Sequence, residues 1–98
     1  VGQPITLVFG AMKDKQITEI AEILFPLADK LILTEVDNPR SAKVDDLYHL
    51  AKNKENVFVS QNVEEAMTFV NLFPENLTCV TGSLYLVGET QKLLDNKK

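Results

Sequence analysis

Four short runs of branched and aromatic residues, at positions 5–9, 31–33, 57–59 and 77–80, are separated by stretches of helical length and periodicity. Each run, such as "ITLVF" or "VFV", is nearly continuous in apolar character rather than alternating. Alternation marks a strand with one wet face, whereas a continuous run suits a strand covered on both. Between the runs, three sets of residues follow the i, i+3, i+4, i+7 spacing of a helix face: Ile17, Ile20, Ala21, Leu24 and Ala28; Val44, Leu47, Tyr48 and Ala51; Val63, Ala66, Met67 and Val70. Each stripe is expected to lie on the sheet, and a fourth helix is expected after Gly82. Strand and helix in strict alternation require right-handed crossovers onto parallel strands. The expected fold class is therefore α/β, a Rossmann-like three-layer domain with a mostly parallel sheet.

The punctuation between these elements agrees. Asn62 has the chemistry of an N-cap with Glu65 three residues on, Ser41 is expected to cap the second helix, and Pro74 to close the third. Gly88, inside the last helical stretch, costs about 1 kcal/mol relative to alanine and implies close packing there.

Composition limits the function classes. With 98 residues, 45% hydrophobic and 24% charged, the chain is one globular domain with one core's worth of apolar residues. A net charge of −4, with basic residues clustered only in the terminal "NKK", removes the electrostatic basis for nucleic-acid binding. The apolar runs fall far short of the roughly 20 residues of a membrane span, and no charged-then-apolar signal segment opens the chain. The expectation is a cytoplasmic protein without nucleic-acid or membrane partners. The single cysteine, Cys79, allows neither a disulfide within the chain nor a multi-thiolate metal site, and is expected to be a small buried hydrophobe. His49, the only histidine, has no second histidine or cysteine beside it and reads as a solvated helix position.

In open parallel sheets, ligands bind beyond the carboxyl ends of the strands. The loops there are "FGAMKDKQ", "TEVDNPRS", "SQN" and "TGSLY". In the first, Gly10 allows close backbone approach, while Lys13, Asp14 and Lys15 supply mixed charge; Asp14 suits a helix amino terminus equally well. In the second, Asp37 and Asn38 favour a turn and Pro39 fixes the backbone, so Arg40 is displayed from a stiff loop. That is what bidentate recognition of a carboxylate or phosphate requires, although an arginine on a turn is also commonly just solvated. In the last, Gly82 and Ser83 fall at a strand-to-helix junction, where free N–H groups hold an anion or Ser83 caps the helix. The P-loop pattern is absent. On spacing alone there is no nucleophile with its base, no carboxylate dyad and no complete nucleotide cradle.

Three of these segments, "LVFGAMKDKQI", "LTEVDNPRSA" and "VTGSLYLVGE", resemble in order and content the carboxy-terminal domain of folylpolyglutamate synthase/dihydrofolate synthase, in the Mur ligase superfamily. The resemblance covers essentially the whole chain, and its last segment is the most specific. It implies an ATP-dependent ligase that joins L-glutamate to a folate or dihydropteroate carboxylate, with ATP and Mg2+ bound mainly by a separate amino-terminal domain. By that similarity Ser83, Tyr85 and Arg40 contact the incoming glutamate, whereas Asp14 and Lys15 face the nucleotide or the domain interface. No residue of the chain is implied to be catalytic or to bind a metal. Gln16 departs from the family's Asp-Lys-Asp loop, which puts the second acid's role in doubt. The family's Asp-Gly-Ala-His-Asn-Pro segment does not occur, so the chain is expected to be a fragment lacking the first strand and helix, inactive alone. An unpaired sheet edge is then expected to favour self-association or modest stability, and a strict monomer in size-exclusion chromatography would contradict the self-association.

Two other classes fit an α/β chain. A receiver-like module needs a phospho-accepting aspartate at a strand end, yet the strands end in Phe9-Gly10, Thr34-Glu35, Ser60-Gln61 and Thr81-Gly82. A flavodoxin-like module needs a hydroxyl-rich loop after the first strand, which "GAMKDK" does not supply. A stand-alone interaction domain of the same shape is the remaining alternative.

Overall fold

The computed structural model describes residues 4–13, 17–51 and 54–81. Strands β1 (Ile5–Phe9), β2 (Lys30–Leu33), β3 (Val57–Val59) and β4 (Leu77–Thr81) form one sheet in the order β3-β2-β1-β4. Every pairing is parallel, with Leu7 opposite Leu31 on one side and Cys79 on the other. The expected fold class holds, and the four strands fall where the apolar runs lie.

Helix α1 (Ile17–Leu24) and helix α2 (Val44–Leu50) cover one face of the sheet, and α3 (Val63–Val70) covers the other. Side chains alternate across a strand, so Leu7, Phe9, Leu31 and Leu33 meet Ala21, Phe25 and Leu47 on the first face. Val8 and Ile32 meet Val63, Ala66 and Met67 on the second. This double coverage explains why β1 and β2 are apolar without alternation.

The outer strands differ from expectation. Leu77 is 51% exposed and Cys79 is exposed, so Cys79 is not the buried hydrophobe its sequence context implied. The reason is topological: among the described residues β4 pairs only with β1, which leaves it at the sheet's edge.

Helix α1 stops at Leu24 rather than running to Ala28, because Pro26 has no N–H to donate and the chain tightens into a 3-10 turn, Phe25–Leu27. Ala28, the residue that ends that turn, is buried all the same. Tyr48, placed by its spacing on the inner stripe of α2, is 47% exposed. Leu47 occupies the inner position, and its neighbour falls to the margin of so short a helix. Asn62 caps α3 as expected, its Oδ1 accepting from the Glu65 amide at 2.8 Å, while Glu65 Oε1 accepts from the Gln61 amide at 3.0 Å. Pro74 lies just beyond the helix, whose C-cap is Asn71. The expected fourth helix, with Gly82 and Gly88, lies outside the described residues.

Candidate functional site

Connections leaving β1 run towards β2 and β3, whereas β4 returns on the opposite side of β1. The sheet therefore has a topological switch point between β1 and β4, where ligands of doubly wound folds bind beyond the strands' carboxyl ends. Backbone bonds keep the strand exits there level with one another. Thr34 N donates to Phe9 O at 3.0 Å, Ser60 N to Leu33 O at 2.8 Å and Gly10 N to Thr81 O at 3.3 Å. The loops singled out in the sequence thus leave from one edge.

The loop after β2 is built largely from its own hydrogen bonds. Asn38 Oδ1 accepts from the Arg40 amide at 2.9 Å, and Asn38 O accepts from the Ser41 amide at 2.9 Å. Ser41 Oγ accepts from the Val36 amide at 3.0 Å and donates to Ala42 O at 3.1 Å. The turn expected from Asp37, Asn38 and Pro39 is present, and Arg40 is exposed on it.

This loop is also stitched to the loop after β1. Met12 and Ser41 form an antiparallel bridge, flanked by Ala42 N to Ala11 O and Lys13 N to Arg40 O, both 2.8 Å. The backbone of Arg40 therefore lies beside Lys13, the residue before Asp14. The structure brings together the Arg40 loop and the start of the Lys13–Asp14–Lys15 loop. Asp14, Lys15, Ser83 and Tyr85 lie outside the described residues, and the last described residue before Ser83, Thr81, sits beside Gly10.

Ser41 does not cap α2. The helix begins after Lys43, which makes no side-chain cap, and the Val44 amide donates instead to Glu35 Oε2 at 3.1 Å. The chain must first pair with Ala11 before it can turn helical, and that carries Ser41 too far from the helix to cap it. Lys43 Nζ lies 3.7 Å from Glu35 Oε1, a half-exposed pair of small energetic weight.

Sequence reasoning missed a second feature of this edge. A cleft of about 430 Å³ opens between the β2–α2 loop and the first turn of α3, lined by Glu35, Val36, Asp37, Gln61, Asn62 and Glu64 among others. Its signal was an acid two residues beyond a strand end, at Glu35, together with the acid in the first turn of α3. Among the described residues no three His, Cys, Asp or Glu side chains converge as metal ligands. No helix among them is long and apolar enough to cross a membrane. His49 is exposed in the last turn of α2.

The family model of the Mur ligase glutamate ligase domain matches residues 1–84. The chain belongs to that family. Within it, the chain is 28% identical over 92 residues to dihydrofolate synthase/folylpolyglutamate synthase of Bacillus subtilis (strain 168), a match covering 92% of the chain and 21% of that protein. Folylpolyglutamate synthase of Thermotoga maritima superposes with a TM-score of 0.82 at 32% identity, covering 99% of the chain and 22% of that protein. Escherichia coli FolC in complex with DHPP and ADP superposes with a TM-score of 0.88 at 20% identity, over 99% of the chain and 23% of that protein, and shares the fold. The chain thus spans about a fifth of the length of the glutamate ligases it resembles.

Proposed function

We propose that the chain is the carboxy-terminal domain of an ATP-dependent amide ligase that adds L-glutamate to folate or dihydropteroate. The observation that carries this reading is the extent of the family match. Residues 1–84 take in Asp14, Lys15, Arg40 and Ser83 together, and they include every described strand of the switch-point fold. Tyr85 lies one residue beyond.

Joining an amine to a carboxylate requires the carboxylate to be activated and the amine to be held, unprotonated, against it. ATP, with Mg2+, supplies the activation by phosphorylating the acceptor's carboxylate, and both are held mainly by an amino-terminal domain. The domain described above then contributes orientation. Glutamate carries carboxylates that a planar guanidinium can grip bidentately, which suits Arg40, and a hydroxyl that can donate to the same anion suits Ser83. Tyr85 shapes the adjoining wall. Asp14 and Lys15, following the loop bonded to the Arg40 turn, face the nucleotide or the amino-terminal domain. Closure of the two domains presents the glutamate amine to the activated carboxyl and excludes water, so neither domain ligates alone. The partners are the small-molecule substrates and the protein's own amino-terminal domain, with no nucleic acid or membrane, in the cytoplasm.

The test is Ser83→Ala in the full-length ligase carrying this domain. The KM for glutamate is expected to rise about tenfold, the worth of a hydrogen bond to a charged group, and turnover to fall. If both constants stay at their wild-type values, Ser83 does not bind glutamate.

A further inference from the structure

We propose that Ser41 is the positioning residue whose hydroxyl holds the loop after β2 in the shape in which Arg40 and Ala42 bond to the loop after β1, and so aims Arg40 at its ligand. This rests on the reading of Arg40 as a glutamate contact. Ser41 is 3% exposed and its hydroxyl is engaged both ways, accepting from the Val36 amide and donating to Ala42 O. It stands opposite Met12 in the bridge between the two loops, whose hydrogen bonds are made by its neighbours Arg40 and Ala42. Arg40 lies directly beside this fastening, with its amide held by Asn38 Oδ1 and its carbonyl by the Lys13 amide. Both backbone polar groups of Arg40 are thus fixed, and the direction in which its side chain leaves the loop is set before any ligand arrives. A group held in advance loses less freedom on binding, so the fastening acts on affinity.

Removing the Ser41 hydroxyl deprives the Val36 amide of its acceptor in a residue only 5% exposed. A buried donor without a partner costs more than the bond itself contributed, and the loop relieves that cost by opening to water. Val36 packs in the cluster on the α3 face and Ala42 in the cluster on the other, so the variant is expected to lose some stability as well as loop order.

The experiment compares wild type, Ser41→Ala, Asn38→Ala and Arg40→Ala in the full-length ligase. It reads amide hydrogen exchange in the segments 11–13 and 36–42 together with steady-state constants for glutamate. Ser41→Ala is expected to exchange faster in both segments and to raise the KM for glutamate about five- to tenfold, with kcat at saturating glutamate within about twofold of wild type. A purely structural role would lower the melting temperature and leave that KM alone. Asn38→Ala disturbs the same loop from its outer side and is expected to move KM in the same direction, which keeps the test decisive if Ser41→Ala folds poorly. Should Arg40→Ala raise the KM while Ser41→Ala and Asn38→Ala do not, the positioning role is overturned and the reading of Arg40 stands. An unchanged KM in Arg40→Ala overturns the reading of Arg40, and the positioning role falls with it.

Discussion

Phe25 stands edge-on to Phe9, with ring centroids 5.2 Å apart and planes at 88°, and each ring is almost wholly buried. The contact joins the turn after α1 to the central strand, and the edge-to-face arrangement sets the positive rim of one ring against the negative face of the other. Phe25→Ala is expected to cost about 3–5 kcal/mol in urea denaturation of the chain, from lost transfer energy and the cavity left behind. Buried polar residues on the strands and at their ends follow a different logic. Ser60 Oγ donates to Leu33 O at 3.0 Å and Thr6 Oγ1 accepts from Asn76 Nδ2 at 3.0 Å, so neither hydroxyl is buried without a partner. Asn56 takes φ 60°, a left-handed conformation that asparagine tolerates, and its carbonyl accepts from the Leu31 amide at the start of β2.

At the scale of the element, α3 is only eight residues long, and a helix so short depends on its ends as much as on its apolar face. Asn62→Ala removes the acceptor of the Glu65 amide and is expected to cost about 1 kcal/mol, measured as a fall in the denaturation midpoint with an unchanged slope. This cap was legible in the sequence because its partner lies three residues away. The strands were legible for a related reason: β1 and β2 are covered on both faces, and that coverage leaves an unbroken apolar run. What could not be read depends on residues far apart in the chain. Ser41 looked like a cap, but it sits opposite Met12 in the bridge made by its neighbours, and Glu35 caps α2 from nine residues upstream. Cys79 looked buried because its run is apolar, yet its exposure follows from strand order, which no local pattern encodes. The Arg40 loop lay between these cases: its turn could be read from Asp37, Asn38 and Pro39, but its bonds to the first loop could not.

For the whole molecule, the sheet divides the apolar interior into two clusters, one around Leu47 and Phe9 and the other around Met67 and Ile32. Leu47→Ala and Met67→Ala are each expected to cost about 2–5 kcal/mol. Because β1 and β2 stand between the two sites, the double variant is expected to lose the sum of the single costs to within about 0.5 kcal/mol. A larger departure, measured by equilibrium unfolding, would mean that the sheet transmits strain from one face to the other. The chemistry is distributed differently from the stability, since the loops of interest all leave one edge of the sheet and two of them share backbone bonds. Those bonds constrain which changes of length the protein can accept. One residue inserted between Gly10 and Lys13 would slide Met12 out of register with Ser41 and turn the following side chains to the opposite side. The turn at residues 71–76, at the far end of the sheet, meets its neighbours through the Asn76 side chain and through the Phe73 ring, which lies 5.5 Å from that of Phe58 and 5.0 Å below Lys30 Nζ. An added residue after Phe73 in that turn disturbs no strand register, so its length can vary independently, while the loops after β1 and β2 must lengthen or shorten together.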